Sequence, residues 1–136
     1  MTRDAARPWD DPPFHDGGSA VVDFVLVGAL VTVLFVAVVQ LALAQHVRNT
    51  LVDCAAEGAR YGALDGHDPA DAVARARDLV TQSLSATYAA DVSAVRTTLD
   101  GIEVVEVTVR APLPVIGLVG PGGALTVRGH AYAEDQ

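Results

Sequence analysis

The stretch between Asp23 and Arg48 limits what this chain can fold into more than any other feature. Residues 24–47 hold no Asp, Glu, Lys or Arg, and from Phe24 to Val39 only Gly28 and Thr32 interrupt the apolar side chains. At about 1.5 Å of rise per residue, such a run is long enough for a hydrocarbon core of roughly 30 Å, whereas a soluble buried helix rarely needs more than about 14 apolar residues. Lipid offers the backbone no water, so a lone span closes its hydrogen bonds internally as a helix. One transmembrane helix is expected over 19–46.

A cleaved secretory signal competes with this reading, because Ala42-Leu43-Ala44 has the small-x-small form that signal peptidase prefers. It would release a soluble domain beginning after Ala44. The flanks argue against it: residues 1–23 carry two Arg against five Asp, where a signal needs a positive n-region, and the apolar run exceeds the usual length of about 7–15 residues. Orientation is not settled by charge, since Arg3 and Arg7 balance Arg48 and Arg60.

Ahead of the span, residues 1–18 contain three prolines, four Asp and a closing Gly pair, with no apolar period, and are expected to be a disordered leader. Behind it, 47–136 has room for one modest domain. The helical pattern continues from His46 to Ala63 through Val47, Leu51, Cys54, Ala55, Gly58 and Tyr61 or Gly62. Cys54, Gly58 and Gly62 form one row of small residues, and Leu51, Ala55 and Ala59 a neighbouring row. Such rows let another helix approach closely, either from the same chain or from a different one.

Leu64-Asp65-Gly66-His67 breaks the pattern. Asp68 then reads as an N-cap, Pro69 as the first helical residue and Asp71 as a first-turn acid. Val73, Val80, Leu84 and Tyr88 give this second helix an apolar side, Arg75, Asp78 and Gln82 face outward, and its end is expected near Ala89 or Ala90. Val92–Leu99 and Ile102–Arg110 flank Asp100-Gly101, a type I′ hairpin signal. In the second strand the alternation slips at Val104-Val105. Ala111-Pro112-Leu113-Pro114 and Gly120-Pro121-Gly122-Gly123 mark a loop, and Leu125–Ala133 forms a third strand with Leu125, Val127, Gly129 and Ala131 on one face. The fold class is therefore α+β: a long N-terminal transmembrane helix extending into a small domain of a second helix and a three-stranded antiparallel sheet.

Little of the sequence points to chemistry. Nine Arg, no Lys and a net charge of −8 repel phosphate backbones, so no nucleic-acid partner is expected. His15, His46, His67 and His130 are scattered without metal-ligand spacing. Asp65, Asp68 and Asp71 lack the pattern of a calcium loop and fit a turn plus a helix cap. Gly120–Gly123 lacks the ending of a phosphate loop. Cys54, the single cysteine, excludes an internal disulfide and has no basic residue in its own turn to activate it. No enzymatic activity, cofactor, metal or small-molecule substrate is expected.

Asp23 sits one step before the apolar run, within Gly18-Ser19-Ala20-Val21-Val22-Asp23-Phe24. An acid five residues after a glycine, followed by an aromatic and a continuous span, resembles the processing site of type IV pilins. The resemblance implies cleavage between Gly18 and Ser19 by a prepilin peptidase, with Asp23 as the pilin-type acid that attracts a neighbouring subunit's new amine. Asp replaces the usual Glu, shortening the side chain by one methylene. The segment Arg48–Ala63, with Ala55-Ala56-Glu57-Gly58-Ala59-Arg60-Tyr61 at its centre, is similar to the post-membrane segment of TadE-like proteins, pseudopilins or minor pilins of the tight-adherence Flp pilus system. That family implies a membrane-anchored structural component of pilus assembly or secretion. It places the N-terminus in the cytoplasm and the C-terminal domain outside the inner membrane, with other TadE- or TadG-like pilins and the pilus machinery as partners. The alternative is a generic single-pass envelope protein whose exterior domain binds a ligand or protein.

Overall fold

The computed structural model describes residues 17–114 and 123–133. The leader up to residue 16 and the Gly120-Pro121-Gly122 turn lie outside the described residues. Helix α1, Gly17–Ala63, runs 47 residues without a break. Gly17 and Gly18 thus form its first turn, a shift of the size helix ends commonly show. The chain divides into two units, Met1–Ala37 and Val38–Gln136.

In the first unit, residues 17–37 are all helical and every side chain from 18 to 37 is exposed. Phe24 is 80% and Leu30 69% accessible, which in water would forfeit the whole benefit of apolar burial. The segment is long and apolar enough to cross a membrane. Thr32 suits such a setting, because its hydroxyl donates to the Gly28 carbonyl at 2.8 Å and leaves no bare polar group.

The second unit contains the rest of α1, helix α2 (Pro69–Ser83), a 3₁₀ turn (Ala86–Ala89) and strands β1 (Asp91–Leu99), β2 (Ile102–Pro112) and β3 (Ala124–Tyr132). The strands form an antiparallel sheet in the order β1-β2-β3. Its core lies where Leu51, Ala55 and Ala59 of α1, Ala72, Ala76 and Val80 of α2, and Val105, Val107 and Val109 of β2 are fully buried. Each helix contributes residues spaced by four, one stripe of its surface, and β2 contributes every second residue.

The hairpin turn follows from its dipeptide. Asp100 and Gly101 both have positive φ, 52° and 84°, as type I′ requires, and the turn fixes Leu99 opposite Ile102. Helix α2 begins where Asp68 places it: its carboxylate accepts from the amides of Ala70 and Asp71, and the Asp71 carboxylate accepts from the Asp68 amide. This is a reciprocal capping box. The far end differs from expectation, because α2 stops at Ser83 and not near Ala89 or Ala90. Ser85 is extended, and serines compete for backbone hydrogen bonds in ways that favour turns over helix interiors. The 3₁₀ turn still places Leu84 and Tyr88 against the core, so the apolar spacing survives while the helix does not. The slip at Val104-Val105 also has a structural cause. Both are buried, but Val105 faces the helices while Val104 lies on the opposite face, beside Leu99, His130 and Tyr132.

Candidate functional site

Two sets of residues marked in the sequence lie on α1. Gly18, Ser19, Asp23 and Phe24 occupy its first turns, all exposed. Ser19 and Asp23 are four residues apart, on one helix face about 6 Å apart along the axis. A Cβ at Gly18 would meet nothing within 4 Å, so no packing demand explains that glycine.

The other set is the small-residue row Cys54, Gly58 and Gly62, and it is filled by the chain's own α2. A Cβ added at Gly58 would sit 2.7 Å from the Ala76 Cβ and 2.9 Å from the Ala72 carbonyl oxygen. One at Gly62 would sit 2.5 Å from the Ala72 Cβ. The two glycines set the closeness of the helix pair, and Ala72 and Ala76 are its other half. Cys54 continues the seam beside Ser83. Burial pushes its thiol above the ordinary value; a hydrogen bond from Ser83 pulls the other way, and the Asp53 charge raises it further. The thiol is buried and held in its unreactive form.

The neighbouring row, Leu51, Ala55 and Ala59, turns to the sheet. Here β3 contributes Gly129, at which any Cβ would fall into the backbone of Ala55 and Ala56. The Ala55–Tyr61 segment is thus a three-way joint. Ala55 and Ala59 pack inward, Gly58 admits α2, Glu57 and Arg60 pair at 3.1 Å on the outside, and Tyr61 lies edge-on to His67 with the Arg75 guanidinium 6.0 Å from its ring centre.

Sequence reasoning missed two polar groupings that only strand register creates. Glu106 and His130 are direct partners across β2 and β3, with Nε2 and Oε2 2.7 Å apart, and Arg128 stands 3.9 Å from the same carboxylate. Arg96 of β1 donates to the Glu103 carboxylate at 3.0 Å and to the His67 carbonyl at 2.8 Å, tying the α1–α2 turn to the sheet. Nothing local to Glu106 in the sequence signals which residue stands opposite it. These exposed pairs are each worth at most about 1 kcal/mol. Among the described residues no group of three His, Cys, Asp or Glu is placed to hold a metal ion.

With this geometry in place, comparison with known families identifies the shared part of the chain. Residues 18–60 match the family model of TadE-like protein. The TadE-like segment begins at Gly18 and ends within the joint, at Arg60, so it covers the apolar run and the face of α1 that receives β3, and it reaches Gly58 but not Gly62 of the face that receives α2. No curated protein and no solved structure matches this chain. A TadE-like segment on a long apolar helix fits a membrane-anchored, pilus-related protein.

Proposed function

We propose that this chain is a pseudopilin or minor pilin of a tight-adherence pilus assembly or secretion system. It is held in the inner membrane by α1 as a single pass, with its N-terminus in the cytoplasm and its second unit outside. The observation that supports this most is a coincidence along one helix. The TadE-like match starts at Gly18, the exposed apolar run starts within the next turns, and Asp23 stands one turn after Ser19.

On this reading a prepilin peptidase hydrolyses the Gly18–Ser19 bond. Trimming removes two Arg and four Asp, which takes the formal charge from −8 to −6, and leaves a free amine on Ser19. An unpaired carboxylate embedded in lipid costs about 2.5–3.5 kcal/mol at the bilayer centre, so Asp23 gains from an amine offered by a neighbouring TadE- or TadG-like subunit. The pairing sets the register of adjacent helices. The work of the protein is assembly, without catalysis, cofactor or small-molecule substrate.

Intact mass and N-terminal sequencing of protein recovered from membranes of a host with its own secretion genes test the reading. A start at Ser19 is expected, with Gly18→Ala blocking it. Asp23→Ala is expected to insert normally and to lose co-purification with partner pilins. A start at Met1 would favour the plain envelope anchor, and a start at Gln45 would make the span a secretory signal.

A further inference from the structure

We propose that the free edge of β3 takes up an extended segment of another protein chain as a fourth strand, one that carries an acid opposite Arg128 and an apolar side chain beside Ala131. The inference goes beyond the assembly role given above and stands on the second unit alone.

The ladder itself shows which backbone groups are open. The Leu113 amide donates to the Gly123 carbonyl at 3.2 Å and the Ala133 amide to the Glu103 carbonyl at 2.9 Å, and both pairs are in frame with the β2–β3 register. Bonded pairs in an antiparallel ladder recur at every second residue. Val127, Gly129 and Ala131 therefore bond to β2, while the amides and carbonyls of Thr126, Arg128, His130 and Tyr132 point the other way. Among the described residues no turn, cap or loop hydrogen bond reaches these four. The register runs without a bulge from Ala124 to Tyr132, and β3 contains no proline, so two common ways of blunting an edge are not used. A row of donors and acceptors at two-residue spacing is matched by another strand.

The edge of β1 carries such a row as well, at Val92, Ala94, Arg96 and Thr98. There Val92 is only 6% exposed, and the Arg96 side chain is held by Glu103 and the His67 carbonyl. β3 differs in having room on both faces. On the helix side, Arg60, Ala63 and Leu64 border a groove of about 490 Å³ shared with Ala131. On the other side, Leu99, Val104 and Tyr132 border a cleft of about 190 Å³. Side chains along a strand alternate between faces, so a strand laid beside residues 130–132 offers one side chain to each space. Ala63, Leu64 and Ala131 make the larger groove a seat for an apolar one.

Charge decides the remaining feature. β3 carries Arg128 and His130 and no acid. One carboxylate, that of Glu106, faces both: it meets His130 at 2.7 Å but stands 3.9 Å from Arg128, whose side chain is 62% exposed. An acid on the added strand reaches this guanidinium from its open side. The β3 of a second copy is the wrong occupant, because the antiparallel register that uses the whole strand, Ala124 opposite Tyr132, sets Arg128 against Arg128, and like charges directly opposite are destabilising.

The test uses the full chain in detergent and a labelled, end-capped peptide of nine residues in which valines alternate with threonines and the central residue is Glu. Saturable binding by fluorescence anisotropy is expected, weakened about fivefold or more by Arg128→Glu. Two N-methylated forms of the peptide test the edge, one methylated on the valines and the other on the remaining residues. Only one side of a strand can face β3, so one form should bind and the other should not. No saturable binding of the parent peptide, or equal behaviour of the two methylated forms, overturns strand addition. Equal affinity of Arg128→Glu and the parent chain overturns the acid assignment. Binding that emerges only after residues 134–136 are deleted gives the groove to the chain's own end and overturns the proposal too.

Discussion

Gly129→Ala should open the second unit, and the structure supplies the size of the effect. The added Cβ would lie 2.6 Å from the Ala56 Cα and closer still to the neighbouring Ala55 carbon and Ala56 nitrogen. Ordinary carbon contacts are about 3.5–4.0 Å, so α1 must withdraw from β3 by about 1 Å. The obstructing atoms are helix backbone and have no rotamer into which to escape. Overpacking of this kind costs about 1–3 kcal/mol, against a gain of about 0.5–1 kcal/mol from replacing glycine inside a strand. A net loss of one to two kcal/mol multiplies the open population by about 5–30. Cys54, 6% exposed, gives an internal readout. In the full chain in detergent, maleimide labelling under conditions where reclosing outruns reaction follows the open population. Gly28→Ala, where a Cβ meets nothing within 4 Å, should label at the parent rate. If Gly129→Ala also does so, the close approach of β3 to α1 is wrong.

Asp68→Ala removes the carboxylate that accepts from Ala70 and Asp71 and should cost about 0.5–2 kcal/mol, read as faster amide exchange across the first turn of α2. The Cys54 thiol is raised above its ordinary value of 9.0 by burial, so the folded state holds its proton more tightly than the unfolded chain does. The contribution is present below 9.0 and is lost as pH rises toward the folded value. Urea unfolding of the parent should therefore weaken more steeply at alkaline pH than that of Cys54→Ala; parallel pH profiles would contradict the burial argument.

The features legible in the sequence were those encoded by neighbours. The uncharged run fixes α1, Asp68-Pro69 with Asp71 fixes the start of α2, and Asp100-Gly101 fixes the hairpin and with it the register of two strands. The end of α2 was not legible, because Leu84 and Tyr88 continue a helical spacing that a 3₁₀ turn serves equally well. Val104 escaped the period-two pattern because both sheet faces bury a residue at that level. Glu106 and His130 meet across 24 positions of chain, and a pairing of that range follows only from register. Of the candidate site, the row Cys54, Gly58 and Gly62 could be read as a place of close approach, but not which helix fills it; that depended on Ala72 and Ala76 arriving four residues apart on α2.

That seam also shapes how the chain can change over evolutionary time. Gly58 and Gly62 face Ala72 and Ala76, and neither side has spare room. Enlarging a residue at 58 needs both a smaller counterpart at 76 and a shift of the α2 backbone, because the Ala72 carbonyl oxygen would also stand 2.9 Å from the new Cβ. Drift in the Ala55–Tyr61 segment is therefore tied to drift in a helix outside the matched residues 18–60. Two stretches that look independent in the sequence are obliged to vary as one.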